Sequence, residues 1–340
     1  MLKAAVIGVG SMGRNHARVY RELDEDVQLV AIADCDARTA AKVGGMMAVP
    51  SFTDYREMVE QAKPDLVSLA VPTHLHAEFA CDLIARGIHV LIEKPIAATL
   101  EEGQRIIDAA AKHGVVLAIG HIERFNPVVM ELKRRLDAGM AGRVYKIQTQ
   151  RLSPYPARIQ DAGVVTDLAT HDIDLLRCLI HEDITRLYGE VLHTINFDRE
   201  DAFNGMVRFR GDAIGLLDVN WITPTKLRRV TVTGARGMLR CDLLSQELYF
   251  YENETAPSQW DTLSVLRGVS EGNVIGIRIT RHEPLAAELA DFVGAVRVHG
   301  KPNVTGEDGL ATLRLAHEFL TAADTHEVID YTVQPAMALM

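Results

Sequence analysis

Short apolar runs separated by amphipathic stretches open the chain, and this rhythm lasts for its first third. Val6 and Ile7 close one such run; VQLVAIAD (27–34), DLVSLAV (65–71), IHVLIEK (88–94) and VVLAIGH (115–121) supply four more. Apolar at both parities and rich in β-branched residues, they predict strands buried on both faces. Between them, HLHAEFACDLIARG (74–87) and LEEGQRIIDAAAKHG (100–114) carry apolar positions at helical spacing and end on glycine, the residue that most easily closes a helix. Strand and helix in alternation predict βαβ units, hence a parallel sheet covered by helices.

Beyond about residue 122 the rhythm changes. NPVVMELKRRLDAG predicts a helix capped by Asn126 with Pro127 at its first position, and RVYKIQTQR (143–151) a strand. GVVTDLATHDIDLL (163–176) reads as a second helix: Leu168, Ile173, Leu175, Leu176, Leu179 and Ile180 form one apolar arc. On another stripe Asp167, His171 and Asp174 stand at i, i+4 and i+7. RLYGEVLHTI, NGMVRFRG, AIGLLDVNWI, RRVTVTGA, GMLRCDL and ELYFYE follow with short turns between them, which predicts a mainly antiparallel sheet in an α+β domain. AIGLLDVNWI is apolar on both faces, so one face should pack on helices and the other on a second copy, giving a homodimer or homotetramer. Residues 255–280, with Trp260, read as a long loop. PLAAELADFVGAVRVHG (284–300) and GLATLRLAHEFLTAAD (309–324) read as helices near the junction of the two domains. The expected division is residues 1–122, 123–283 and the C-terminal helices of 284–340.

Composition narrows the partners. A chain of 340 residues, 48% hydrophobic and 24% charged, can fill two globular cores. A net charge of -10 argues against nucleic acid or an anionic membrane surface and leaves a small molecule as the ligand. No run approaches the roughly 18 apolar residues of a membrane span, and the apolar start is too short for a signal peptide. Cys35, Cys81, Cys178 and Cys241 are scattered with no C-x-x-C pair, which predicts neither a zinc knuckle nor disulfides and fits a reducing cytoplasm.

Gly8, Gly10 and Gly13, spaced G-x-G-x-x-G around Ser11 and Met12, follow one predicted strand and precede a helix. This is the Rossmann arrangement: a tight turn, a bare backbone for a pyrophosphate, and close strand–helix packing. Asp34 ends the next strand, where a carboxylate accepts from ribose hydroxyls and repels a 2′-phosphate, so NAD is expected over NADP; Arg38, four residues on, is the feature that opposes this. Lys94, before Pro95, ends the fourth predicted strand, at the edge where open parallel sheets bind ligands, although a solvated surface lysine would look the same. Asp167, His171, Asp172 and Asp174 read as a polar stripe, a catalytic set or a metal site; with no further ligand cluster, no metal is expected. Asp172 points to the apolar side by its spacing and should have a structural partner. Thr73 and His74 could cap the helix that follows them.

Taken together, GVGSMG, Asp34, VPTHLHAEFA, EKPIA and GVVTDLATHDIDLL resemble the Gfo/Idh/MocA family of NAD(P)-dependent sugar and cyclitol oxidoreductases, over nearly the whole chain. The resemblance implies that Lys94, Asp167 and His171 meet at the nicotinamide, and that Glu93, Thr73 and His76 neighbour the cofactor. Oxidising a secondary alcohol removes a proton from oxygen as a hydride leaves carbon; either Lys94 or His171 can take that proton, and Lys94 adds positive charge where the alkoxide develops. GHIERFNP and the segment RLSPYPARIQDAG resemble the branch that oxidises the 3-hydroxyl of UDP-N-acetylglucosamine, toward a 2,3-diamino sugar for a lipid A type glycolipid. That branch implies Glu123, Arg124, Arg151 and Arg158 as substrate contacts; guanidinium groups suit a diphosphate, and surface salt bridges are the competing explanation. Other sugar, inositol or UDP-sugar uronate dehydrogenases share the pattern, as would a non-catalytic dinucleotide sensor; Lys94, Asp167 and His171 together favour catalysis.

Overall fold

The structure, a computed structural model, describes all residues except Asp24, 157–161, Asn196, 255–269 and 333–340. Two compact units form, one from Met1–Phe125 and His282–Arg314, the other from Asn126–Arg281 and Leu315–Met340. The chain passes between the units at Phe125–Asn126, Arg281–His282 and Arg314–Leu315, so each unit takes part of the tail.

The first unit carries strands β1 (Leu2–Ile7), β2 (Val27–Ala33), β3 (Ser51–Phe52), β4 (Leu66–Leu69), β5 (His89–Glu93) and β6 (Leu117–Gly120). Among the described residues they form a six-stranded sheet in the order β3-β2-β1-β4-β5-β6, each pair parallel. Apolar residues at both parities are used as expected. Ala5, Ile7, Val67, Leu69, Val90 and Ile92 face one core with helices α3 (Tyr55–Ala62), α4 (His76–Ala85) and α5 (Leu100–His113). Ala4, Val6, Leu66 and Leu91 face the other, with α1 (Gly13–Glu22) and the late helix Pro284–Val298. Burial on both sides makes parallel pairing stable here. The two-residue β3, and α2 (Ala37–Met47) before it, complete the layer between β2 and α3.

In the second unit Asn126 caps α6 (Pro127–Asp137), accepting from the Val128 N–H at 3.3 Å, as its sequence predicts. Strand β7 (Val144–Leu152) follows, then a π turn (Val165–Ala169) that runs into α7 (Thr170–Leu179). The remaining strands are β8 (Ile184–Leu192), β9 (Ala202–Phe209), β10 (Ile214–Asn220), β11 (Leu227–Gly234), β12 (Gly237–Asp242), β13 (Glu247–Glu254), β14 (Ser270–Ile277) and, at the edge, β15 (Ile329–Asp330). They form a nine-stranded sheet among the described residues, ordered β14-β13-β12-β11-β7-β10-β9-β8-β15. The sheet is mainly antiparallel, as expected, with one parallel pair, and the expected loop over 255–280 is corrected in part. The β7–β10 pair is parallel, because the chain leaves β7 through α7 and returns by the β8–β9 hairpin to β7's open edge. Part of the expected loop is strand: β14 pairs antiparallel with β13, while Trp260 lies outside the described residues.

One face of this sheet, through Ile147, Leu217, Val219, Val230 and Val232, packs on α6 and α7. The alternate positions, including Leu216, Asp218, Met206 and Tyr249, point away; Met206 is 49% exposed. The helix α8 (Pro284–Val298) packs in the first unit through Leu289, Phe292 and Val293. In α9 (Gly306–Thr325), Leu313 joins a core of the first unit, whereas Phe319 meets Phe203 edge-on at 5.1 Å in the second.

Candidate active site

Strand–turn–helix geometry builds the nucleotide end from β1. Gly8 holds φ +79, and a Cβ there would lie 2.5 Å from the Ala70 carbonyl oxygen; a Cβ on Gly13 would lie 1.8 Å from the Gly8 carbonyl oxygen. Both positions therefore exclude a side chain. At Gly10 a Cβ would meet nothing within 4 Å. Its bareness is not demanded by packing, which fits a backbone left open for a diphosphate. Ser11 beside it is exposed and Met12 half-buried. Asp34 ties the loop down: its Oδ2 accepts from the Val9 N–H at 2.8 Å and its Oδ1 from the Asp36 N–H at 3.0 Å. The half-buried carboxylate keeps further lone pairs for a ribose, while Arg38 is exposed.

Lys94 follows β5 directly and is half-buried. His76, expected beside the cofactor, is instead buried to 1% exposure, and its ring bridges the two loops: Nδ1 lies 2.9 Å from the Pro95 carbonyl and Nε2 2.9 Å from that of Val71. Burial pushes its pKa down, and the neutral ring donates its single N–H to one of these two carbonyls while packing against the other. This histidine braces the turn that presents Lys94 and Thr73. Neither Thr73 nor His74 supplies a side-chain cap to the helix that follows. Glu93 accepts from His16 Nε2 through Oε1 at 2.9 Å, and from the Lys94 N–H through Oε2 at 3.2 Å. Burial pushes its carboxyl up, but the His16 bond, the field of His16, the Lys94 charge and the Lys94 N–H outweigh it and hold the group below the usual range. His16 was missed in the sequence, although its place on the inner arc of α1 with Gly13, Ala17 and Tyr20 was a readable signal.

In the second unit the expected single helix is two pieces. The π turn carries Asp167, and turns of this kind concentrate at functional sites. Its start is closed by Glu200, which no local spacing would reveal: the Val165 N–H donates to its Oε1 at 3.1 Å and the Val164 N–H to its carbonyl at 3.0 Å. Asp167 and His171 are half-buried, but Asp174 is 1% exposed, so the expected three-residue polar stripe is a pair. Asp172 has the structural partner its spacing required, the Nε of Arg151 at 2.5 Å, with both side chains 2% exposed.

That pair corrects the expectation for Arg151, which is a buried strut rather than an accessible phosphate ligand. Arg124 likewise donates through Nη1 to Asp308 at 3.1 Å and to the Asn303 carbonyl at 3.2 Å, while its neighbour Glu123 is half-buried. Arg158 lies outside the described residues. No cluster of metal-ligand type includes Asp167 or His171 among the described residues, and no described helix is long and apolar enough to cross a membrane.

Residues 2–121 match a family model described as an oxidoreductase family with an NAD-binding Rossmann fold, and residues 129–240 match the GFO/IDH/MocA C-terminal domain. A UDP-N-acetylglucosamine 3-dehydrogenase of Acidithiobacillus ferrooxidans is 27% identical over 95% of this chain and 97% of its own. The solved structure of that enzyme aligns with a TM-score of 0.83 at 26% identity, covering 95% and 98% of the two chains. An NAD(+)-dependent scyllo-inositol 2-dehydrogenase of Bacillus subtilis is 25% identical, over 92% of each chain. A levoglucosan dehydrogenase in complex with NADH shares the fold at TM-score 0.84 and 22% identity, over 97% and 99%. The cofactor is NAD, and the glycine loop and Asp34 fit it.

Two outcomes are expected. NAD should exceed NADP in kcat/KM by at least about tenfold, roughly 1.4 kcal/mol, and Asp34→Ser should narrow the gap; equal use of both by the parent would show that Asp34 does not face the ribose. In urea unfolding, Arg151→Ala or Asp172→Ala should each cost on the order of 3–5 kcal/mol, because each strands a buried charge, whereas Arg151→Met with Asp172→Leu should recover most of it.

Proposed function

The chain belongs to the Gfo/Idh/MocA family of oxidoreductases, and from that premise we propose that it oxidises a ring hydroxyl of a nucleotide sugar, the 3-hydroxyl of UDP-N-acetylglucosamine, to the ketone. The observation that carries the catalytic part is the pairing of exposures: Asp167 and His171 stay half-open on a segment whose neighbours Leu168, Ala169, Asp172 and Ile173 are buried. Bound NAD supplies the hydride acceptor. Either the His171 ring or a neutral Lys94 Nζ takes the hydroxyl proton; where His171 takes it, the charge of protonated Lys94 stabilises oxygen as it becomes anionic. Asp167 holds a substrate hydroxyl or orients the histidine. His76 and Glu93 fix the Lys94 loop from behind, which is the preorganisation that proton transfer requires.

The full-length similarity to the UDP-N-acetylglucosamine enzyme supports the substrate. Arg151 is withdrawn from the phosphate contacts, and Arg124 is paired with Asp308. The inositol dehydrogenase similarity makes a free polyol the rival substrate. The outward face of the nine-stranded sheet, with Met206 and Tyr249 exposed, supports pairing with a second copy. Light scattering of the purified protein should therefore read a dimer or tetramer; a monomer at micromolar concentration would refute that pairing.

Lys94→Ala and His171→Ala should each lower kcat by on the order of a hundredfold or more while NAD still binds. Full activity in both would remove this pair from the chemistry. For the substrate, an assay coupled to a ketone trap should show NADH formed from UDP-N-acetylglucosamine and little from N-acetylglucosamine, with UDP competing against sugar but not against NAD. Steady turnover of myo-inositol or a uronate, with none of the nucleotide sugar, would reassign the substrate within the family.

A further inference from the structure

Behind Lys94 lies a cluster the proposed chemistry does not use. His16 of α1, Glu93 at the end of β5 and Glu288 of α8 bring one ring nitrogen and two carboxyl oxygens within 4.8 Å of one another. His16 is 0% and Glu288 2% exposed. Both carboxyl oxygens of Glu288 are buried without a hydrogen-bond partner among the described residues, whereas Glu93 is engaged by His16 and by the Lys94 N–H. The sequence marks Glu288 as odd: it sits between Leu285, Leu289 and Phe292 on the apolar arc of α8. An isolated carboxylate there would lose its hydration with nothing in exchange, and a group so placed takes up a proton instead.

The surroundings point the same way. From α1, His16 and Tyr20 face the site, the Tyr20 hydroxyl lying 2.8 Å from Ser68 Oγ. From β5 come Glu93 and, next to it, Lys94; from α8 itself comes Asp291. The turn Ile122–Phe125 packs on α8 and brings Glu123 and Arg124, the latter paired with Asp308. Burial first, then the charges of Glu93 and Asp291, push the Glu288 carboxyl well above the ordinary glutamate range.

We propose that Glu288 is a positioning residue that works as a neutral carboxylic acid. By keeping its proton it leaves Glu93 the single anion of the cluster, held between His16 and the Lys94 backbone, and so fixes where the lysine side chain starts. This rests on the reading of Lys94 as a group that acts on the alcohol. The proton has one rival, a divalent cation bound by two ionised carboxylates and the imidazole.

A carboxyl that binds its proton more tightly folded than unfolded costs nothing below the ordinary glutamate pKa; its penalty grows as pH rises above that value toward the folded one. Glu288→Gln, neutral at every pH, escapes the penalty. The melting temperature of the parent should therefore fall relative to Glu288→Gln as pH is raised from about 5 to about 9. At neutral pH the infrared spectrum of the parent should contain the carbonyl stretch of a protonated carboxylic acid that the variant lacks, a measurement the parent alone can supply if a variant fails to fold. Glu288→Ala should lower kcat about tenfold with little change in the KM for NAD, and Glu288→Gln should restore it.

Absence of the protonated band, or a Gln variant destabilised equally at every pH, overturns the proposal. So does a rise in parent melting temperature on adding Mn2+ or Zn2+ that Glu288→Gln abolishes, since that assigns the site to a cation. Lys94→Ala separates the two readings. If it keeps full activity, the role of Lys94 and with it the positioning role of Glu288 fall, while the band and the pH profile still report the neutral acid.

Discussion

Parallel pairing of β1, β2, β4, β5 and β6 is the constraint on which the candidate site depends. Because these strands run the same way, each delivers its following loop to one edge of the sheet. The Gly8–Gly13 loop, Asp34, Val71–Thr73, Glu93–Lys94 and His121 are far apart in sequence and all leave that edge. The strand order reverses between β1 and β4, where open sheets of this kind take their ligands. Parallel pairing needs apolar cover on both faces, so the same residues that fill the two cores also set where these loops stand.

Asp34 and His76, polar groups near that edge, have specific partners that shape the loops leaving it. Asp34 accepts two backbone N–H groups and so shapes the glycine loop. His76 is buried between the Val71 and Pro95 carbonyls and donates to one of them, filling the space between the turn after β4 and the turn after β5. In the second unit Arg151 and Asp172 fix β7 to α7, the helix that carries His171. An unmade bond at any of these places would cost more than a typical surface contact contributes.

The second unit uses its sheet differently. Alternation in β7, β9 and β10 gives one buried and one open face, and α6 and α7 pack on the buried one. Placing β7 parallel to β10 inside a mainly antiparallel sheet lets α7 leave the sheet and cover it before the strands resume. The π turn at Asp167, closed by Glu200, lies at the entrance to that helix. Support for the segment that carries Asp167 thus comes from a residue distant in sequence.

The sequence by itself determined what depends on local pattern. Apolar runs at both parities specified the parallel strands, G-x-G-x-x-G and Asp34 specified a dinucleotide loop, Asn126 and Pro127 a helix start, and the spacing of Asp172 its inward direction. Only the tertiary structure decided what depends on partners remote along the chain. It paired Arg151 with Asp172 and Arg124 with Asp308, buried Asp174, turned His76 into a brace, and brought Glu288 against Glu93 across nearly two hundred residues. An arginine in a sequence carries the same charge whether it will meet a phosphate or a carboxylate. Burial and the neighbour supplied by a distant strand or helix choose between them, because desolvation makes an unpaired charge too costly to leave.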